Sequence, residues 1–94
     1  VCGFSTTVRA SSREDGSVGV RIKGDCEKVN RLAGRLTHLS LEELFHRPFN
    51  QNSVYETAGL CEPHAACPVP CGVLKAAEAA LGMALRRDVG IFFE

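Results

Sequence analysis

The sequence predicts an α+β fold, a small three-stranded sheet packed against three or four helices. Three observations carry that prediction. Two segments near the start alternate apolar and polar residues, the middle of the chain repeats apolar residues at helical spacing, and the last residues return to alternation. With 94 residues, a single domain spanning 1–94 with one modest core is expected. An apolar fraction of 45% with only 6% aromatic residues means that core is built chiefly from Val, Leu, Ala and Ile.

Phe4, Thr6, Val8 and Ala10 alternate with Ser5, Thr7 and Arg9, and Val18, Val20 and Ile22 alternate with Gly19, Arg21 and Lys23. The polar run from Ser11 to Ser17, which contains Gly16, joins them into a β-hairpin. Asp25 is the expected N-cap of a first helix, in which Val29, Leu32, Ala33 and Leu36 share one face, running to about His38. Ser40 with Glu43 and Ser53 with Glu56 have the spacing of capping boxes, in which hydroxyl and carboxylate satisfy each other's free amides. They predict short helices near 41–46 and 54–60. Beyond an irregular stretch, Val73, Leu74, Ala77, Ala80, Leu81, Ala84 and Leu85 predict a long helix, with Arg86 and Arg87 at its negative end. Val89, Ile91 and Phe93 then predict a final strand. Pairing of that strand with the first gives the order 2-1-3.

Eleven basic residues balance eleven acidic ones, so neither nucleic acid nor a membrane surface is an expected partner. The balance is uneven along the chain. Up to residue 38, Arg9, Arg13, Arg21, Lys23, Lys28, Arg31 and Arg35 face only Glu14, Asp15, Asp25 and Glu27. No apolar run approaches the roughly 18 residues of a membrane span, and no signal pattern opens the chain, so a cytoplasmic protein is expected. The first residue is Val and not Met, which points to processing or truncation upstream.

The five cysteines are the chemically distinctive feature. An odd number excludes a complete disulfide framework within one chain, and in a reducing compartment such enrichment points to metal binding or thiol chemistry. Facing residues of an antiparallel hairpin have a nearly constant sum of positions. With the turn centred near Glu14 or Asp15, Cys2 and Cys26 should emerge together at one end of the sheet. Cys67 starts the long helix. If the last strand lies antiparallel to the first, that helix start reaches the same end, and Cys67 joins them.

Cys61, His64 and Cys71 lie close to Cys67 in sequence. Thiolates and imidazole bind zinc, and thiolates hold iron–sulfur clusters. Pro68 and Pro70 fall in the first helical turn, where missing amides cost little, so Cys67 sits at a positive helix end, a place that favours thiolate. Cys71, one turn on, is placed to resolve an oxidised Cys67 or to face the core. A free cysteine also packs as a small hydrophobe. His38 and His46 have no supporting pattern.

Cys2-Gly3-Phe4, Asp25-Cys26-Glu27, Val54-Tyr55-Glu56 and His64-Ala-Ala-Cys67-Pro-Val-Pro70 resemble a family of short uncharacterised proteins from anaerobic bacteria and archaea. That resemblance implies no reaction, but it singles out Cys2, Cys26 and Cys67. Locally, Cys67-Pro-Val-Pro70 leading into a helix is similar to the Cys-Pro-x-Pro element of TusA-type sulfur carriers, whose cysteine bears a persulfide. In those carriers the element follows the first strand, whereas here it precedes the last.

The expected function is a cysteine-ligated metal or iron–sulfur protein, with Cys2, Cys26 and Cys67 as ligands, Cys61 or His64 completing the set, and zinc or a cluster as cofactor. Redox or cluster handling is expected before hydrolysis, and the chain is not expected to be an enzyme by itself. The alternatives are a sulfur-relay or thiol-redox protein with Cys67 as nucleophile, and a non-catalytic interaction module. A protein partner is expected, and an exposed sheet edge offers a homodimer contact.

Overall fold

The computed structural model describes residues 3–45 and 48–94. Strands β1 (Thr6–Ser12) and β2 (Val18–Gly24) form the expected antiparallel hairpin, with Thr6 opposite Gly24, Arg9 opposite Arg21 and Ser12 opposite Val18. The turn is closed by Arg13 N–H donating to the Ser17 carbonyl and is centred on Asp15. Side chains alternate as the pleat requires: Val8, Ala10, Val18, Val20 and Ile22 face the core, while Thr7, Arg9, Arg21 and Lys23 face out.

Helix α1 (Glu27–Arg35) turns its buried Val29 and Leu32 onto β2. Its N-cap is Cys26 and not the expected Asp25, whose carboxylate instead accepts from the Ser5 amide. The helix also stops earlier than expected. Leu36 caps it, the Thr37 carbonyl accepts from Val20 N–H, and His38–Leu39 form a short third strand, β3, antiparallel to β2. The sheet order is therefore β1-β2-β3, which corrects the expected 2-1-3.

Helix α2 (Leu41–Phe45) has the predicted capping box, with Glu43 N–H donating to Ser40 Oγ and Ser40 N–H to the Glu43 carboxylate. A single 3-10 turn (Phe49–Gln51) follows, then α3 (Ser53–Leu60). The cap of α3 is the buried Asn52 and not Ser53. Its Oδ1 accepts from Val54 N–H and its Nδ2 donates to the Leu44 carbonyl, so one side chain starts α3 and ties down the end of α2.

Helix α4 (Val69–Ala80) is the longest element among the described residues and packs along β1, with Val73 and Ala77 fully buried. It ends one turn before the predicted Leu85. Gly82 has φ +73°, its N–H donates to the Ala79 carbonyl and Met83 N–H donates to the Glu78 carbonyl, a Schellman cap that only a left-handed residue closes readily. Arg86 and Arg87 therefore lie beyond the helix. The predicted final strand is absent: residues 83–94 form no regular strand or helix, and Val89, Ile91 and Phe93 are between 75% and 88% exposed. Their alternation is real, but the chain leaves α4 without returning to the β1 edge. No helix among the described residues is long and apolar enough to cross a membrane.

Candidate functional site

The starts of α1 and α4 meet at one end of the hairpin. Gly24 makes the first half of that meeting possible, because a Cβ there would lie 2.6 Å from Thr6 Oγ1 and 3.0 Å from the Ser5 carbonyl. With that close approach, Asp25 N–H donates to the Ser5 carbonyl at 3.1 Å, and the paired register extends beyond the strands. Continued one step further, it sets Cys26 across from Phe4. Cys26 is the N-cap of α1 but its side chain makes no capping hydrogen bond. A Ser or Asp would stabilise the helix at this position, so the cysteine does not serve the cap.

Cys67 arrives from the other side. A turn closed by Cys67 N–H donating to the His64 carbonyl at 3.0 Å places it directly before Pro68, the N-cap of α4, and Pro70 lies inside the first turn. The two prolines lack amides that the helix start could not have satisfied anyway. Because α4 runs along β1, this helix start is delivered to the Phe4 end of the hairpin.

Between them is a half-open cleft of about 460 Å³ whose walls include Cys26, His64 and Cys67. Phe4, Val8, Val29 and Val69 supply an apolar lining, and Lys28 places a cation at the wall. Among the described residues no three His, Cys, Asp or Glu side chains are grouped closely enough to hold a metal ion. Cys26 and Cys67 are half-buried.

The other candidates are placed elsewhere. Cys61, the C-cap of α3, is 1% exposed and packs in the core with Val54 and Val73. Cys71 is exposed and adjoins Tyr55, whose hydroxyl pKa is raised by burial and secondarily by the Cys71 charge. Tyr55 also packs against Phe49, the rings tilted by 39° with centroids 5.4 Å apart. Cys2 and His46 lie outside the described residues. His38, without a motif in the sequence, closes a small network. The Ser17 hydroxyl donates to Asp15 Oδ1 at 2.6 Å, which leaves its oxygen to accept from His38 Nε2–H at 2.8 Å. The Ser17 hydroxyl and amide lower the Asp15 pKa, against a small desolvation penalty.

Phe4 and Lys28 were not singled out as site residues in the sequence. Their signal was there in part: Phe4 is fixed by the hairpin sum once the turn centre is known, whereas Lys28 reads as a solvated helix residue. Residues 1–93 match one protein-family model, described as a family of unknown function (DUF6951). The chain belongs to this family. No curated protein and no solved structure matches the chain.

Proposed function

We propose that the chain holds a thiolate-ligated metal centre, a zinc ion or an iron–sulfur cluster, at the cleft between the starts of α1 and α4. The observation that carries this reading is that Cys26 and Cys67, remote in sequence and each at a helix start, line one cleft together with His64. Cys2, two positions before the cleft residue Phe4, is the third thiolate candidate. His64 is preferred to Cys61, which is packed in the core, and would have to move toward the two thiols on binding, since Cys26, Cys67 and His64 are not grouped closely enough for an ion as they stand. Two or three thiolates with one imidazole are a donor set for zinc, and thiolates alone suit a cluster. The proposed role is electron transfer or cluster handling: no described residue lining the cleft is Asp or Glu, so a carboxylate base for hydrolysis has no support here.

The test is purification of the full chain without oxygen, followed by metal analysis and absorption spectroscopy. Stoichiometric zinc, or iron with thiolate charge-transfer bands, is expected. Cys26→Ser and Cys67→Ser should each lose it, and the exposed Cys71→Ser should keep it. Protein that carries no metal and takes up neither zinc nor iron on reconstitution would remove this reading.

One observation favours a second reading. Cys67 is only half-buried at an open cleft, immediately before a helix, as a persulfide carrier needs. Its thiolate would attack the terminal sulfur of a cysteine desulfurase persulfide and form a new S–S bond, while the desulfurase cysteine leaves as thiolate. Incubation with a desulfurase and cysteine should then add one sulfur mass to Cys67, in Cys26→Ser protein as well, and no mass should be gained by Cys67→Ser.

A further inference from the structure

The helices cover only one face of the hairpin. On the other, the facing pairs are Thr7 with Lys23, Arg9 with Arg21, and Ser11 with Gly19. Like charges set directly opposite each other in a sheet oppose pairing, so the Arg9–Arg21 pair works against the fold. Among the described residues neither arginine has an acidic partner within ion-pair distance. The ion pair found among the described residues is Arg31 with Glu27, on α1. The nearby Asp15 carboxylate is engaged by the Ser17 amide and hydroxyl.

A third guanidinium is built into the same place. Gly19 lies inside β2, where glycine weakens a strand and commonly marks a close approach. Here the approaching group is Arg13: a Cβ on Gly19 would lie 3.0 Å from its Nη2 and 3.1 Å from its Nε. Gly19 is buried beneath that side chain. Arg9, Arg13 and Arg21, with Ser11, Gly19 and Thr37, thus line an open depression of about 470 Å³. Three arginines line one depression, and one of them, Arg13, lies over its glycine floor.

We propose that this depression binds a multiply charged oxyanion, the phosphate or pyrophosphate group of a small phosphorylated ligand. Guanidinium forks match phosphate oxygens in pairs, and the lining also includes Ser11 and Thr37, residue types that can donate from a hydroxyl. A bound dianion turns the Arg9–Arg21 repulsion into attraction toward a shared charge. The size of the depression is that of a single small ligand. Among the described residues its lining holds no aromatic ring on which bases could stack, and the chain carries no net charge, both unlike a nucleic-acid groove. The site stands on the opposite face from the cleft that holds Cys26 and Cys67 and does not depend on metal binding.

Inorganic pyrophosphate is the probe, used on the full chain at low ionic strength with thermal unfolding and calorimetric titration. At about ten times its Kd it should raise the unfolding midpoint by roughly 5–10 °C. Arg21→Gln should weaken binding about tenfold or more, and without pyrophosphate its midpoint should not fall below that of the wild type, because the repulsion is relieved. Gly19→Ala should displace Arg13 and weaken binding with Arg9 and Arg21 still in place. Cys26→Ser and Cys67→Ser proteins should keep the full pyrophosphate shift, which separates this site from chelation of a metal at the cleft. The proposal is overturned by the absence of any shift at millimolar pyrophosphate, by equal affinity in Arg21→Gln, by an equal shift from chloride at matched ionic strength, or by a short single-stranded oligonucleotide that binds more tightly than pyrophosphate.

Discussion

Cys61 and Cys67 are neighbours in sequence and opposites in environment. Cys61 ends α3 with its thiol sealed among Val54, Val73 and the rest of the core, whereas Cys67 precedes α4 with its thiol at the wall of an open cleft. The difference comes from which side of the turn between them packs. Residues 62–66 carry the chain off the core surface, with Glu62 in the left-handed region at φ 54°, and the proline-rich start of α4 brings it back at the end of β1. One thiol is therefore sealed inside the core, while the other packs against its edge and also borders the cleft.

The strongest way to break this contrast is to put the same charge at both places. In metal-free protein Cys61→Asp buries a carboxylate without a partner and should cost about 3 kcal/mol or more, while Cys67→Asp should cost less than about 1 kcal/mol, measured by urea unfolding. Equal losses would erase the distinction. Next, Asn52→Ala removes both the α3 cap and the bond to the Leu44 carbonyl, and should cost about 2 kcal/mol. Because α3 then frays near its start, Cys61 should remain shielded unless the core opens as a unit.

Thiol labelling reads the contrast directly. In native, metal-free protein Cys67, Cys26 and Cys71 should react with an alkylating reagent at least about a hundredfold faster than Cys61, which requires core opening. Mass spectrometry of digests would show it, and labelling of Cys61 at the rate of Cys67 would contradict the burial described. The smallest effect lies at the hairpin turn and serves as a control away from both thiols. The Asp15 pKa is lowered in the fold, so its contribution is present above the carboxylate's unfolded value and is lost as pH falls through the folded one. Urea midpoints of wild type and Asp15→Asn should therefore differ at pH 6 and converge in acid, once the pH has fallen below the lowered folded value. A difference that persists there would assign the effect to the hydrogen bonds alone.

Much of the fold was legible because its signals are local. The hairpin follows from period-two alternation around Gly16, α2 and α3 from capping-box spacing within one turn, and α4 from apolar spacing. Local signals also explain two of the errors. Asn52 was passed over because Ser53 and Glu56 imitate a capping box, and Gly82 was passed over because the apolar face continues through Ala84 and Leu85 after a left-handed residue has already ended the helix. The final strand failed for a different reason. Val89, Ile91 and Phe93 have a strand's period, but a period states which side could be buried and not that a surface is there to bury it.

The meeting of Cys26 with Cys67 illustrates the division. Sequence by itself determined that a cysteine follows the hairpin, that another precedes a proline-started helix, and that the hairpin's two ends come together, since these depend on turn length, alternation and backbone chemistry within a few residues. It also suggested a route for Cys67 through a final strand in a 2-1-3 sheet, a route the chain does not take. Tertiary structure decided the outcome by packing α4 itself along β1, burying Val73 and Ala77 against the sheet and so carrying the helix start to the Phe4 end. That choice is made by complementary apolar surfaces meeting across long loops, and no spacing within one segment encodes it.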